Sequence, residues 1–174
     1  LLPMADDQSN THNVGGVVAY SAILLNNLTN NAIVTVESTG KVNYLGGVVG
    51  YTYYSLDTAT NNAKLDFELV CNGGDQLGGN CAMGGVFGWS QSGSSCSMKD
   101  LTNNNTLAVT ISGTTASAGT INIGGVAGKA QQAATNLQNK AALTVTAGTV
   151  KTLYVGGLCG DVSSSLINST NHSA

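Results

Sequence analysis

The chain contains no arginine: its six basic residues are all lysine, and only 9% of its 174 residues are charged, against about 25% in an ordinary globular protein. That excludes a nucleic-acid role, because phosphate neutralisation by Lys and Arg supplies most of that affinity. It also removes the bidentate grip on phosphate or carboxylate that arginine provides. A net charge of −3 is too small to steer a charged partner. There is one proline, Pro3, and the scarcity of charge rules out a disordered acidic or basic tail. No run approaches the ~20 apolar residues of a membrane span. Leu1-Leu2-Pro3-Met4 is too short for the apolar region of a signal peptide, so any signal is expected outside these residues. His12 and His172 are the only histidines and lie at opposite ends of the chain.

What is present is glycine, asparagine, threonine and serine around a 42% hydrophobic fraction, enough to fill a core. A neutral polar surface of this kind suits an extracellular or cell-surface protein. One phrase keeps returning: Gly15-Gly16-Val17-Val18-Ala19, Gly46-Gly47-Val48-Val49-Gly50, Gly84-Gly85-Val86-Phe87-Gly88, Gly124-Gly125-Val126-Ala127-Gly128 and Gly156-Gly157-Leu158-Cys159-Gly160. The intervals between first glycines are 31, 38, 40 and 32 residues. Repeats of this length signal a stacked array in which each unit buries its apolar face against its neighbours. The residues flanking each Gly-Gly are apolar in every copy: Val14, Leu45, Met83, Ile123 and Val155 before it, Val17, Val48, Val86, Val126 and Leu158 after it. The small residue closing each phrase is expected where a Cβ would crowd a neighbour.

Between the phrases lies an asparagine block: Asn30-Asn31-Ala32, Asn61-Asn62-Ala63, Asn104-Asn105-Thr106 and Asn139-Lys140-Ala141, each followed by alternating apolar residues. Asparagine marks a turn, the alternation predicts a half-buried strand, and stacked asparagines are able to form a side-chain hydrogen-bond ladder. Another strand, such as Lys41–Leu45 or Gly119–Ile123, runs into each glycine phrase. About three strands per coil are therefore expected, with length variation taken up in loops such as 72–80 and 112–119, where insertion costs little loop-closure entropy.

The expected fold is all-β: a parallel β-solenoid of about five irregular coils, strands about 4.8 Å apart, wound right-handed as parallel crossovers overwhelmingly are. Residues 1–13 form a lead-in segment and 14–174 a single solenoid domain. The chain stops within a repeat at Leu166–Ala174, and an open solenoid end exposes strand edges. The expectation is therefore part of a longer array, or an end covered by another copy. A β-sandwich explains the recurring glycine phrase poorly, and helices are excluded by glycine and β-branched residues in every candidate segment.

The Gly-Gly-(Val/Leu)-x-Gly phrase, spaced by strand-like segments with Asn-x-Ala turns, resembles the GLUG-type glycine-rich repeats of bacterial and protist surface proteins over roughly residues 14–160. The resemblance implies a stalk or an adhesive β-helical region.

Candidate sites are few. Cys71, Cys81 and Cys96 cluster where the loops are longest, and a disulfide such as Cys71–Cys81 or Cys81–Cys96 would clamp that region; four cysteines permit three complete pairings. Cys159 reads as a small buried hydrophobe. Zinc is disfavoured by the missing Cys-x-x-Cys pair and the distance to any histidine, and the glycine-rich loop 72–80 holds a single aspartate where calcium rolls need several. No metal or cofactor is expected. Sequons at Asn27, Asn104, Asn168 and Asn171 are candidate glycan acceptors in a eukaryotic secreted protein. Asp66 and Glu68 alternate on one strand and face one side; with Lys64 beside them they read as a solvated stripe rather than the acid–base pair of a polysaccharide-active enzyme, so no catalytic residue is assigned. Thr35, Thr110 and Thr144 lie in comparable strands but do not build the Thr-x-Thr ladder of an ice-binding face. Trp89, Tyr51, Tyr53 and Tyr54 follow two successive glycine phrases and either pack or stack on a ligand such as a sugar. The leading expectation is a structural extracellular solenoid associating end to end, without enzymatic activity; the alternative is an adhesin recognising carbohydrate or protein through loops 52–60, 72–82 and 90–100.

Overall fold

The computed structural model describes residues 11–38, 42–71, 80–91, 96–114 and 119–172. Every element in them is a β-strand, and every strand pairing is parallel. The first coil comprises β1 (Thr11–Gly15), β2 (Val18–Ser21), β3 (Leu25–Asn30) and β4 (Val34–Ser38). The second comprises β5 (Val42–Gly46), β6 (Val49–Thr52), β7 (Leu56–Asn61) and β8 (Leu65–Cys71). The third holds β9 (Cys81–Gly84), β10 (Phe87–Ser90), β11 (Ser97–Asn103) and β12 (Leu107–Thr114), and the fourth β13 (Thr120–Gly124), β14 (Ala127–Ala130), β15 (Ala133–Asn139) and β16 (Leu143–Thr149). The fifth contributes β17 (Thr152–Gly156), β18 (Cys159–Val162), β19 (Leu166–Ile167) and β20 (Thr170–Asn171). Like strands of successive coils stack into four parallel sheets, one per side of the coil, and this is a parallel β-solenoid. β19 and β20 both pair with β15, so together they continue the third sheet.

Four strands per coil replace the three expected. The extra one is the third side, Leu25–Asn30 and its equivalents, hidden because its apolar residues do not alternate. One residue along this side is left-handed in every coil: Asn27, Thr58, Asp100, Asn136 and, between β19 and β20, Asn168 have φ of 55, 56, 54, 56 and 50°. One left-handed residue resets the pleat, so the residues on either side of it, Leu56 and Ala59, Met98 and Leu101, Ala134 and Leu137, all point inward. Asparagine and aspartate tolerate this backbone, which accounts for four of the five. The extra strand also corrects two of the recognition loops: residues 56–60 and 97–100 are strand. Residues 72–79, 92–95 and 115–118 lie outside the described residues, and with them the calcium-loop reading.

The core is divided. The first and fourth sheets enclose one cluster, including Leu45, Met83, Ile123, Phe67, Leu107 and Val109; the second and third enclose another, including Val48, Val86, Phe87, Leu56 and Leu101. Between them runs a waist of asparagine against glycine. Asn30, Asn61, Asn103 and Asn139 are 0–2% exposed, and each side-chain amide donates to the next in the stack: Asn30 to Asn61 at 2.9 Å, Asn61 to Asn103 at 2.9 Å, Asn103 to Asn139 at 3.1 Å and Asn139 to Asn171 at 3.0 Å. A second donated bond caps the following turn at Ala32, Ala63 and Ala141. The second glycine of each phrase sits against this ladder. A Cβ on Gly16, Gly47 or Gly85 would lie 2.7, 2.9 or 2.6 Å from Cγ of Asn30, Asn61 or Asn103. The glycine phrase and the asparagine block, some fifteen residues apart in each repeat, are thus two halves of one contact.

Candidate functional site

Because the corner between the first and second sheets is drawn in to meet the ladder, the outer faces of those two sheets turn toward each other. Glycine makes the approach possible: a Cβ on Gly50 would lie 2.8 Å from the backbone nitrogen of Val14, and one on Gly88 2.6 Å from that of Leu45. The result is a cleft along the stack. On the second-sheet side the residue after each small one forms a column, Tyr20, Tyr51, Trp89, Lys129 and Asp161, in direct register. On the first-sheet side the facing column is Asn13, Tyr44, Ala82, Asn122 and Tyr154.

The aromatic part of the cleft spans the first three coils. Tyr20 and Tyr51 stack at 5.5 Å with rings 6° apart, Tyr44 and Tyr51 at 5.3 Å, and Trp89 meets Tyr44 edge-on at 4.8 Å. Tyr53 stands edge-on to both Tyr20 and Tyr51. Polar tips are tied down from coil to coil: the Tyr51 hydroxyl donates to Gln91, and Trp89 Nε1 donates to Gln131 at 3.2 Å. Burial raises the Tyr51 and Tyr44 hydroxyls above the usual phenol range, so both stay protonated. Farther along, Lys129 lies 4.9 Å above the Trp89 ring and 2.9 Å from Asp161, closing the aromatic run with a cation–π contact and an ion pair.

Of the expected stacking residues, the structure brings Tyr51, Tyr53 and Trp89 together and leaves Tyr54, half-exposed, outside the cluster. Trp89 is occupied by Tyr44 and Lys129. Tyr51 is 9% exposed, whereas Tyr20 and Tyr53 are 51% and 41% exposed. Tyr20, Tyr44, Asn13 and Thr11 escaped the sequence reading. The signal for Tyr20 was there, since it holds the same place after its phrase as Tyr51 and Trp89.

The other candidates are scattered. No disulfide joins any two of Cys81, Cys96 and Cys159, which corrects the Cys81–Cys96 clamp. Cys81 starts β9 and points into the first core, while Cys96 precedes β11 on another side of the coil; the side chain of Cys71 lies outside the described residues. Asn27 and Asn168 occupy left-handed sites in the third sheet and are exposed. Asn104 is exposed and donates to Asn62 at 2.8 Å. Asn171 serves as a rung of the inner ladder. Asp66 and Glu68 face outward on β8 between buried Leu65, Phe67 and Leu69, with Glu37 in register beside Glu68. Among the described residues no group of three or more His, Cys, Asp or Glu is placed to hold a metal, and no helix is long and apolar enough to cross a membrane. Compared with protein-family models, curated proteins and solved structures, the chain matches none of them.

Proposed function

We propose that this chain is a structural element of the cell surface or extracellular space, a stiff stalk or filament segment whose coils are continued at their outer rungs by further coils of the same kind, from its own array or from another copy. The observation that supports this is the composition of the outermost rungs. Val17 is 45% exposed in the first coil, while its equivalents Val48, Val86 and Val126 are fully buried. Val155 and Leu166, 50% and 40% exposed in the fifth coil, occupy the columns of buried Ile123 and Ala134. The strand registers keep the same columns throughout, from the first coil to the fifth in three sheets and from the first to the fourth in the other, so another coil would pair at either end in the same pattern, removing apolar surface from water at about 25 cal/mol per Å². The near-absence of charge fits a surface built for stacking rather than for electrostatic encounter.

The test is sedimentation velocity with negative-stain imaging over a range of concentrations. Rods should lengthen with concentration at constant width, and Val17→Lys should stop the growth by placing an ammonium group in the joint. A chain that stays monomeric at every concentration removes end-to-end stacking between copies.

A further inference from the structure

The cleft between the first two sheets holds a groove of about 230 Å³ lined by Thr11, Asn13, Tyr20, Tyr44, Tyr51 and Tyr53. We propose that this groove binds a single neutral pyranose ring of a glycan. The proposal stands apart from the stalk reading, because the groove opens sideways across the outer faces of the first and second sheets.

Four features carry it. The first is size: typical drug-sized ligand pockets run ~300–1,000 Å³, and this one is smaller, suited to one ring rather than an extended chain. The second is shape and polarity. Tyr20 and Tyr53 offer ring surface that is half-exposed and fixed at right angles, and the C–H face of a pyranose is apolar and flat enough to lie on such a ring. Tyr20 is braced from behind by its parallel neighbour Tyr51, whose hydroxyl is held by Gln91, so little conformational entropy remains to be lost on binding.

The third feature is an unmet hydrogen bond. Oδ1 of Asn13 is buried and has no partner. A buried acceptor left unpaired costs about 1–3 kcal/mol, and a ligand hydroxyl donating to it recovers that cost. This decides between two ligands that aromatic grooves commonly take. A proline-rich peptide presents carbonyl acceptors and few donors, so it is poorly matched to Asn13. A sugar ring presents hydroxyls that donate, and Thr11 supplies a further polar partner at the rim. The fourth feature is charge: no lysine or histidine is among the six lining residues, so nothing in the groove compensates the carboxylate of a uronate or sialic acid.

The experiment is saturation-transfer-difference NMR on the whole chain. The probes are methyl glycosides of glucose, galactose, mannose and N-acetylglucosamine, with methyl glucuronide as the charged comparator and a proline-rich decapeptide as the competing class, each at about 10 mM to detect millimolar affinities. At least one neutral glycoside should show transfer concentrated on its ring C–H protons. Tyr20→Ala, at an exposed position that does not threaten the fold, should weaken it about tenfold, and Asn13→Ala should weaken it as well. Tyr54→Ala, outside the groove, should leave it unchanged. The proposal is overturned if none of the neutral glycosides gives transfer, if Tyr20→Ala binds as tightly as the parent, or if the peptide or the glucuronide binds in preference.

Discussion

Two columns of asparagine run side by side along this stack, one residue apart in every turn. The inner column is Asn30, Asn61, Asn103, Asn139 and Asn171; the outer is Asn31, Asn62 and Asn104, continued by Lys140 and His172. Their hydrogen bonds look alike. Outer amides bridge Asn62 to Asn31 at 2.9 Å and Asn104 to Asn62 at 2.8 Å, no longer than those of the inner ladder. Burial separates them. The inner amides from Asn30 to Asn139 lie between two apolar cores, where a lost partner cannot be replaced by water; the outer ones are solvated. The repeats of this one chain reflect that difference, since the inner position is asparagine in all five coils and the outer one accepts lysine and histidine.

The largest effect is therefore expected at the waist. Asn103→Ala removes the acceptor of Asn61 and the donor to Asn139, leaving two polar groups unsatisfied inside the stack. At about 1–3 kcal/mol per orphaned group, the loss is about 2–6 kcal/mol, a fall in Tm of roughly 10 °C. Thermal unfolding by circular dichroism measures it. A change below about 0.5 kcal/mol would mean that the ladder is a consequence of stacking and contributes nothing to it.

A neutral ladder also sets an expectation for pH. Asparagine does not titrate, so the waist is indifferent to pH, and sensitivity comes from groups elsewhere. Burial pushes the Cys159 thiol up to about 12 from its ordinary 9.0 and raises Tyr44 and Tyr51 above the ordinary 10.0. For acids raised in this way, the folded state's advantage is complete below the unfolded values and is lost as pH climbs from about 9 upward. Asp100 moves the other way, lowered by the hydrogen bond from Asn136 and by Lys99. Its contribution is present above the usual carboxylate value and lost as pH falls below it, and exposure keeps it small. Stability should thus fall more on the alkaline side than on the acid side, and Cys159→Val should remove part of the alkaline loss. A steeper acid limb in the measured Tm–pH profile would contradict this.

How much of this was legible in the sequence follows from the same contrast. Glycine phrases and asparagine blocks stood out because each is required in every coil, and each column of identical residues reads as a repeat. The parallel solenoid and the ladder followed. The contact between Gly47 and Asn61 did not, because it joins the two motifs across the coil, and nothing local in either names the other. The third strand was hidden for a different reason: its left-handed residue breaks the two-residue period by which strands are read. The tyrosine groove was half visible. Tyr51 and Tyr53 stood out as a cluster, while Tyr20 and Tyr44 belong to different strands and each reaches Tyr51 only through the fold.

The left-handed column offers a way to sharpen the comparison, since it too holds asparagine or aspartate in four of its five places. The fifth is Thr58, exposed, at φ 56°. A β-branched residue is poorly suited to this backbone, and the left-handed conformation costs an L-residue about 1–2 kcal/mol. Thr58→Asn should relieve part of that cost and stabilise the chain by about 0.5–1 kcal/mol. An unchanged or lowered Tm would show that the strand, and not the residue, absorbs the strain.

The smallest effect belongs to the outer asparagines. Asn62 bridges Asn31 and Asn104 with its side chain and accepts at its backbone from Asn105 at 3.0 Å. If hydrogen-bond number governed stability, Asn62→Ala would rival Asn103→Ala. Solvation argues otherwise: every amide that loses a partner at this exposed corner gains water, and surface substitutions of this kind usually fall within about 0.5 kcal/mol. The pair of variants, compared in the same thermal unfolding experiment, separates the two accounts. Comparable losses would mean that the ladder's strength lies in its bonds. A large loss at Asn103 beside a negligible one at Asn62 would mean that it lies in the dryness of the waist, which is also why glycine, with no side chain to hold the two halves apart, stands opposite every inner asparagine.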